Sequence, residues 1–161
     1  MAKWKRVLLV LLTVFACVGC DQVSKAVAHR HLAPNRVMSF AGDSLRLQYA
    51  ENRGAFLSLG DQLPEAERAL VFTGIVGAFL AGFLAYLLCA SRMSARSLIA
   101  CSLICGGGIG NLIDRIARSG YVVDFLNCGL GRVRTGIFNI ADLAITVGVL
   151  MLLVASFTRR R

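Results

Sequence analysis

The 161 residues suit a single domain; 57% of them are hydrophobic, only 17% are charged, and the mean hydropathy is +0.67. A soluble domain of this size has a larger charged fraction, so the composition indicates one membrane domain over 1–161. The net charge of +9 does not indicate nucleic-acid binding, because the basic residues flank apolar runs and are not interleaved with aromatic residues.

Four apolar runs predict membrane-spanning helices. They cover residues 7–19, 69–90, 97–113 and 137–158, and the first could continue as helix from Asp21 to about Ala28. A spanning helix needs about 20 predominantly apolar residues, within a range of about 17–25. The last three runs are long enough, whereas the first is short on apolar length alone. We therefore predict an all-α membrane protein with four transmembrane helices.

The charge distribution predicts the orientation of these helices. Basic residues without acidic neighbours cluster at the N-terminus, between the second and third runs, and at the C-terminus: Lys3, Lys5, Arg6; Arg92, Arg96; Arg159, Arg160, Arg161. With four spans the three clusters share one side, which the positive-inside rule makes cytoplasmic. Segments 21–68 and 114–136 would then face outward.

The first outward segment, 29–68, is too long for a simple loop. Residues 44–49 alternate polar and apolar side chains, which is typical of a half-buried strand. Residues 55–60 could pair with that strand. We predict a small extracytoplasmic β-element between the first and second helices.

The N-terminus has a second interpretation. Basic residues, an apolar run and then Cys20 also fit a lipoprotein signal that is removed before a lipid-modified cysteine. However, Cys17 stands where such a signal usually has leucine, and removal would leave an odd number of spans. A mature chain that begins at Met1 or Ala2 in mass spectrometry would exclude the cleaved form.

The predicted topology brings polar residues from distant parts of the sequence to the outer end of the bundle. In chain order they are Asp21, Lys25, Asn111, Asp114, Arg115, Asp124, Asn139 and Asp142. Asp142 lies about 7 Å into its apolar run at about 1.5 Å per residue. A lipid-facing carboxylate costs up to about 2.5–3.5 kcal/mol at the bilayer centre. Asp142 should therefore face the bundle interior and have a polar partner.

Several of these residues also have a purely structural interpretation. Asp21 and Lys25 could form only an i, i+4 ion pair, Asp114 could close the third span, and Asn139 could cap the fourth. That interpretation is weak for the two acids that lie inside apolar runs, Asp124 and Asp142.

Other signals for a cofactor or for cross-links are absent from the sequence. His29 and His31 lack a third metal ligand nearby. Five of the six cysteines lie in or beside apolar runs, where a thiol behaves as a small hydrophobic group. We expect no metal, no cofactor and no disulfide framework.

Five motifs, in order along nearly the whole chain, resemble those of the bacterial lipoprotein signal peptidases (signal peptidase II). They are Asp21-Gln22-Val23-Ser24-Lys25, Asn52-Arg53-Gly54-Ala55, Gly110-Asn111-Leu112-Ile113-Asp114-Arg115, Val122-Val123-Asp124-Phe125 and Phe138-Asn139-Ile140-Ala141-Asp142. Each motif is weak alone, but five in this order in a four-span chain are specific. The family's second motif often runs Asn-x-Gly-Ala-Ala-Phe-Ser; here the two residues before the serine differ, which bears on substrate and inhibitor fit.

The resemblance implies a membrane aspartic endopeptidase that removes the signal peptide of prolipoproteins by cleaving before a diacylglyceryl-modified cysteine. It implies the following roles: Asp124 and Asp142 as the catalytic pair, Asn111 and Asn139 as orienting groups, Asn52 and Arg115 as substrate-positioning groups, and Asp21, Lys25 and Asp114 as supporting residues. It also implies an outer β-cradle, a location in the cytoplasmic (inner) membrane among its lipids, and inhibition by the cyclic peptide globomycin. We expect a monomer.

A non-catalytic alternative is a small transporter or assembly factor that uses the acids as a polar cluster. Transport favours acids that are spread through the membrane depth, whereas these gather at one end of the predicted bundle. The sequence therefore favours the peptidase. It leaves open which lipoproteins are preferred and which aspartate is the base.

Overall fold

The computed structural model describes residues 2–32, 36–54, 60, 62–89 and 93–158. Within them, four helices are long and apolar enough to cross a membrane: α1 (Lys3–His31), α2 (Glu65–Cys89), α3 (Ala95–Ala117) and α4 (Ile140–Thr158). The predicted four-helix architecture is confirmed. Four basic residues on which the predicted orientation depends, Arg92 and 159–161, lie outside the described ranges.

Helices α1 and α2 differ in detail from the sequence prediction. Helix α1 begins at Lys3, passes through Cys20 without a break and ends at His31, a few residues beyond the predicted continuation to about Ala28. Helix α2 begins as α-helix at Glu65–Ala69, becomes a π-helix over Leu70–Ile75 and returns to α-helix over Val76–Cys89. Such π-helical turns are rare and often lie at functional sites.

A four-stranded antiparallel sheet lies at one end of the bundle. Its order is β1-β2-β3-β4, with β1 at Val37–Phe40, β2 at Leu45–Asn52, β3 at Val122–Leu130 and β4 at Val133–Arg134. Strand β2 confirms the strand predicted at 44–49. Its partners among the described residues are β1 and β3; the predicted partner 55–60, apart from Gly60, lies outside the described residues. The segment between α3 and α4 therefore contributes half of the sheet's strands.

The sheet packs on the end of α1 through a small hydrophobic core. Ala28 near the end of α1 and Leu32 directly after it are buried together with Phe125 of β3. Because Phe125 and Asp124 are neighbours on a strand, their side chains point to opposite faces. Burying the aromatic ring against α1 therefore fixes which way the Asp124 carboxyl points.

Helix α3 is the centre of the bundle. Half of its most apolar window is buried, against 22% or less in the other three helices. The consecutive glycines 106–108 face three different helices: a Cβ atom there would contact Cys17 of α1, Ala141 of α4 and Leu80 of α2, respectively. Small residues allow such close approach of helices in lipid.

The start of α4 is bound to strand β3. The backbone N–H of Phe138 donates to the carbonyl of Leu126 at 2.8 Å, and the N–H of Leu126 donates back at 2.8 Å. This pair places Asn139, the residue just before α4, beside the strand that carries Asp124.

A charged cluster ties the β1–β2 turn to the rest of the sheet. The Asp43 carboxylate accepts hydrogen bonds from Arg46 and Ser39, and Arg134 donates to the Asp43 carbonyl at 2.7 Å. The hydrogen bond from Arg46, followed by that from Ser39, holds the pKa of Asp43 well below its usual range.

We expect Gly107→Ala to destabilise the protein by about 1–3 kcal/mol, the usual cost of overpacking. The added methyl would overlap the backbone carbonyl of Ala141, which cannot move without separating α3 from α4. The matched control is Gly82→Ala in α2, where no heavy atom lies within 4 Å of the new methyl. Because alanine is the better helix former, the control should be neutral or slightly stabilising. Thermal unfolding in detergent measures both, and equal melting temperatures would contradict the close α3–α4 packing.

Candidate active site

The first of the two central carboxyl groups belongs to Asp124 on β3. Its side chain is 2% exposed. One oxygen accepts a hydrogen bond from the Asn139 amide at 2.6 Å, and the other accepts one from the Asn52 amide at 3.0 Å. Burial raises the pKa of Asp124 to about 6, because removal from water disfavours the charged form. The Asn52 bond opposes this rise, while the charge of Asp142 adds to it.

The second carboxyl group belongs to Asp142 in the first turn of α4. It accepts a hydrogen bond from the Asn111 amide at 2.9 Å and one from the backbone N–H of Asn139 at 3.2 Å. In return, the N–H of Asp142 donates to the side-chain oxygen of Asn139 at 2.9 Å. This reciprocal pair is a helix cap. Unlike Asp124, Asp142 is only partly buried.

Asn139 joins the two carboxyl groups. It caps α4 as the structural interpretation of the sequence suggested, and its NH2 group also donates to Asp124. It is 0% exposed. Two carboxyls that are 18 positions apart in sequence therefore share one asparagine and point into the same polar region.

The side-chain amides of Asn111 and Asn139 can each adopt one orientation, because each oxygen faces a group that can only donate a hydrogen bond. Lys25 donates to the oxygen of Asn111 at 2.9 Å, and an ammonium group has no acceptor. The backbone N–H of Asp142 likewise only donates, and it faces the oxygen of Asn139. Each asparagine must therefore turn its NH2 group towards a carboxyl, so both carboxyls are held by donors.

Behind the two carboxyls lies a fully buried charge cluster. The Lys25 ammonium is 2.7 Å from Asp21 and 3.1 Å from Asp114, with both the lysine and Asp21 0% exposed and Asp114 1% exposed. Asp21 and Lys25 thus form the i, i+4 pair that the structural interpretation foresaw, but deep inside the bundle and shared with α3.

Arg115 and Asn52 occupy the edge of the site. Arg115 donates to the Gly54 carbonyl at 2.8 Å and lies over the Phe72 ring at 5.5 Å. Its Nε is buried and has no hydrogen-bond partner among the described residues. Asn52, which the resemblance assigns to substrate positioning, directly contacts Asp124 and also accepts from the N–H of Gly54 at 3.0 Å.

A cavity of about 610 Å³ opens between α2, α3 and α4 beside these groups. Its polar end is formed by Asn111, Arg115 and Asp142, and the remainder is mostly apolar, including Phe72 and Val149. The π-helical stretch of α2 carries Phe72 into this wall. The cavity therefore offers a carboxylate at the end of a surface that suits an apolar ligand.

Sequence reasoning missed one member of the site. The Gln22 amide donates to Asp21 at 3.3 Å, to Asp114 at 3.2 Å and to the Gly110 carbonyl at 3.1 Å. A signal was present, since a glutamine beside Asp21 in an otherwise apolar helix needs polar partners. All nine residues that the sequence singled out lie in or directly beside this constellation, while Arg115 reaches it by way of Gly54 and the cavity wall.

Comparisons with known proteins agree with this geometry. The family model of signal peptidase (SPase) II matches residues 13–158. A lipoprotein signal peptidase of Syntrophus aciditrophicus is 32% identical over 158 residues, covering 98% of this chain and 97% of that protein. One of Sphingopyxis alaskensis is 41% identical over 147 residues, covering 86% and 80%.

Solved structures show the same fold. A bacterial membrane enzyme determined by the in meso method at 2.3 Å resolution is 26% identical, with a TM-score of 0.79 over 92% of this chain and 87% of that one. A second such enzyme, at 1.9 Å, has a TM-score of 0.77 at 26% identity over 91% and 90%. This multi-pass membrane protein belongs to the signal peptidase II family, the peptidases that remove signal peptides from lipoproteins.

Proposed function

We propose that this chain is an aspartic endopeptidase that cleaves prolipoproteins on the N-terminal side of their diacylglyceryl-modified cysteine. The observation that carries the proposal is the pairing of Asp124 and Asp142 through Asn139, at the mouth of an apolar cavity. Two carboxyls in a poorly hydrated site do not both ionise easily and tend to share one proton. That protonation state is what acid–base hydrolysis of a peptide bond requires.

Burial favours one distribution of the shared proton. Asp124 is 2% exposed and has a raised pKa, so it would hold the proton. Asp142 lines the cavity and would be the ionised base. The two groups act as a coupled pair, and this assignment describes the singly protonated state of that pair.

Asp142 takes a proton from a water molecule, whose oxygen bonds to the scissile carbonyl carbon, while the proton of Asp124 passes to the carbonyl oxygen. In the resulting tetrahedral intermediate the C–N bond breaks. The leaving nitrogen receives the proton from Asp142, and one hydroxyl proton returns to Asp124. The products are a carboxylic acid and an amine, and the pair regains its starting state.

The cavity suits a lipid-anchored substrate. Its apolar wall, which includes Phe72 and Val149, would accept acyl chains or the apolar part of the signal peptide. Arg115 and Asn52 would place the peptide backbone. Arg115 lies at the polar end of the cavity, and Asn52 donates a hydrogen bond to the Asp124 carboxyl. No cofactor or metal enters the proposed reaction. The proposed site needs no group from a second chain, and we propose a monomeric enzyme.

We further propose that the enzyme lies in the bacterial inner membrane with both termini in the cytoplasm. Helix α1 begins among Lys3, Lys5 and Arg6, and the sheet and the carboxyl pair lie at its other end. The positive-inside rule then puts the basic end in the cytoplasm. The proposed site would lie near the extracytoplasmic face, at the depth where a lipid-anchored cysteine presents its peptide bond.

Asp124→Asn and Asp142→Asn should each lower cleavage of a diacylglyceryl prolipoprotein by at least about 100-fold, because either change removes the general acid or the general base. The measurement is gel-shift cleavage by the purified variants in detergent, with globomycin sensitivity of the wild type as a reference. The matched control is Glu67→Gln, an exposed acid in the first turn of α2, which should keep full activity. Near-normal cleavage by either aspartate variant, with equal membrane insertion, would remove the aspartic mechanism.

The pKa of Asp124 predicts a pH-dependent stability. A raised folded-state pKa means that the folded protein keeps a proton that the unfolded chain releases. The contribution of Asp124 to the free energy of unfolding is therefore largest below the ordinary carboxyl pKa of 3.8 and is lost as the pH rises through about 6. Between these two values the loss is about 1.4 kcal/mol per pH unit. Asp124→Asn lacks this dependence, so its melting temperature should gain on the wild type between about pH 4 and pH 6 and gain little more above that range.

Asp43→Asn provides a control of opposite sign. The pKa of Asp43 is lowered, so the wild type's advantage over this variant should be present at pH 7 and shrink as pH falls below the ordinary carboxyl range. If the Asp124→Asn difference were independent of pH while the Asp43→Asn difference changed, the raised pKa of Asp124 would be wrong.

A further inference from the structure

The buried charges Asp21, Lys25 and Asp114 take no part in the proposed proton transfers. All three are at most 1% exposed. Buried ion pairs of this kind seldom add net stability over apolar residues, because each charge loses several kcal/mol of hydration. A role in holding one specific geometry explains their presence better than a role in stability.

Each carboxylate of the cluster binds a backbone N–H at a particular place. Asp114 accepts from Val123 at 3.0 Å, and Val123 is the residue before Asp124. Asp21 accepts from Ala141 at 2.9 Å, and Ala141 is the residue before Asp142. The strand and the helix that carry the proposed pair are thus each held one residue away from the carboxyl group.

Lys25 links these two contacts and adds a third. It contacts both carboxylates and donates to the side-chain oxygen of Asn111. That bond turns the Asn111 NH2 group towards Asp142. One ammonium group therefore fixes both backbone contacts and the orientation of an amide.

We propose that Lys25 is a positioning residue that sets the separation of Asp124 and Asp142 and keeps an amide donor on Asp142. The inference rests on the proposed aspartic mechanism and names how its geometry is maintained. Lys25 touches neither of the two carboxyls directly; it acts through Asp21, Asp114 and Asn111. A precise catalytic geometry requires that supporting hydrogen bonds hold the catalytic side chains rigidly.

The charged and titratable groups around Asp142 define what a pH profile reports. Arg115 of α3 and Asp124 of β3 interact with Asp142 electrostatically, while Lys25, Asp21 and Asp114 lie behind Asn111 and the backbone that carries the pair. Without Lys25, the Asn111 oxygen keeps the hydrogen bond from the Asn139 amide at 3.1 Å but loses its charged donor, so the Asn111 NH2 group is held less firmly on Asp142. A weaker donor to a carboxylate favours the protonated form, so the base would be lost at a higher pH than in the wild type.

The first test is Lys25→Met, which removes the ammonium at similar side-chain length. We expect kcat for prolipoprotein cleavage to fall by about 100-fold, the effect of misplacing reacting groups by about 1 Å, with KM changed by less than about threefold. The acidic limb of the kcat/KM profile should move to higher pH by about one unit. A shifted limb does not depend on how much enzyme is folded, whereas a lower rate does.

Lys25→Met leaves Asp21 without its ion-pair partner and leaves Asp114 with the longer Arg118 contact at 3.5 Å. The second variant is therefore Asp21→Asn/Lys25→Met/Asp114→Asn. It keeps oxygen acceptors for Val123 and Ala141 without buried charge, but still lacks the donor to Asn111. We expect it to melt close to the wild type and to show the same shift of the acidic limb. A wild-type profile in this triple variant would overturn the role of Lys25.

Two controls separate this inference from general damage and from the proposed mechanism. Leu98→Ala removes a fully buried side chain near the start of α3; it should lower the melting temperature and leave the pH profile unmoved. Asp124→Asn is assayed in parallel. If it retains activity, the aspartic mechanism fails; if it is inactive while both Lys25 variants keep the wild-type profile and kcat, only the positioning role fails.

Discussion

Carboxyl groups buried in an apolar helix bundle must be met by hydrogen-bond donors, and this constraint organises the whole sheet end of the protein. Unpaired, each would cost several kcal/mol. Asp124, Asp142, Asp21 and Asp114 are each satisfied by donors from other elements. Because every such bond crosses between elements, satisfying the acids also fixes α1, α3, α4 and β3 relative to one another. Packing of glycines against neighbouring helices brings the backbones close enough for these bonds to form.

The helices could be predicted from the sequence because hydropathy is a local property. The apolar run of α1 stops before Asp21 and Lys25, but its continuation as helix to about Ala28 could be predicted and is present. The structure shows why they do not end the helix: they neutralise each other inside the bundle. The strand at 44–49 was predictable from alternation, but its pairing with β3, at least 70 positions away, was not. Alternation identifies a strand and leaves its partner and register undetermined.

The candidate site was predictable from the sequence to a similar extent. The predicted topology brought Asn111, Asp114, Asn139 and Asp142 to one end of the bundle. The contacts that define their chemistry are side chain to backbone, such as Asp114 to the N–H of Val123. Backbone groups carry no sequence signal, since every residue other than proline has the same N–H. For the same reason the role of Gln22 and the direction of the Asn111 amide became visible only in three dimensions.

The two central carboxyls differ because they stand on different elements. Asp124 is on a strand whose opposite face packs on α1; its carboxyl is almost fully buried, and this burial raises its pKa. Asp142 is in the first turn of a helix, where it accepts hydrogen bonds from Asn111 and from the backbone N–H of Asn139, and it borders the cavity. A bundle of four helices alone would give both acids similar surroundings. The sheet that closes over one of them creates the asymmetry on which the proposed acid and base roles depend.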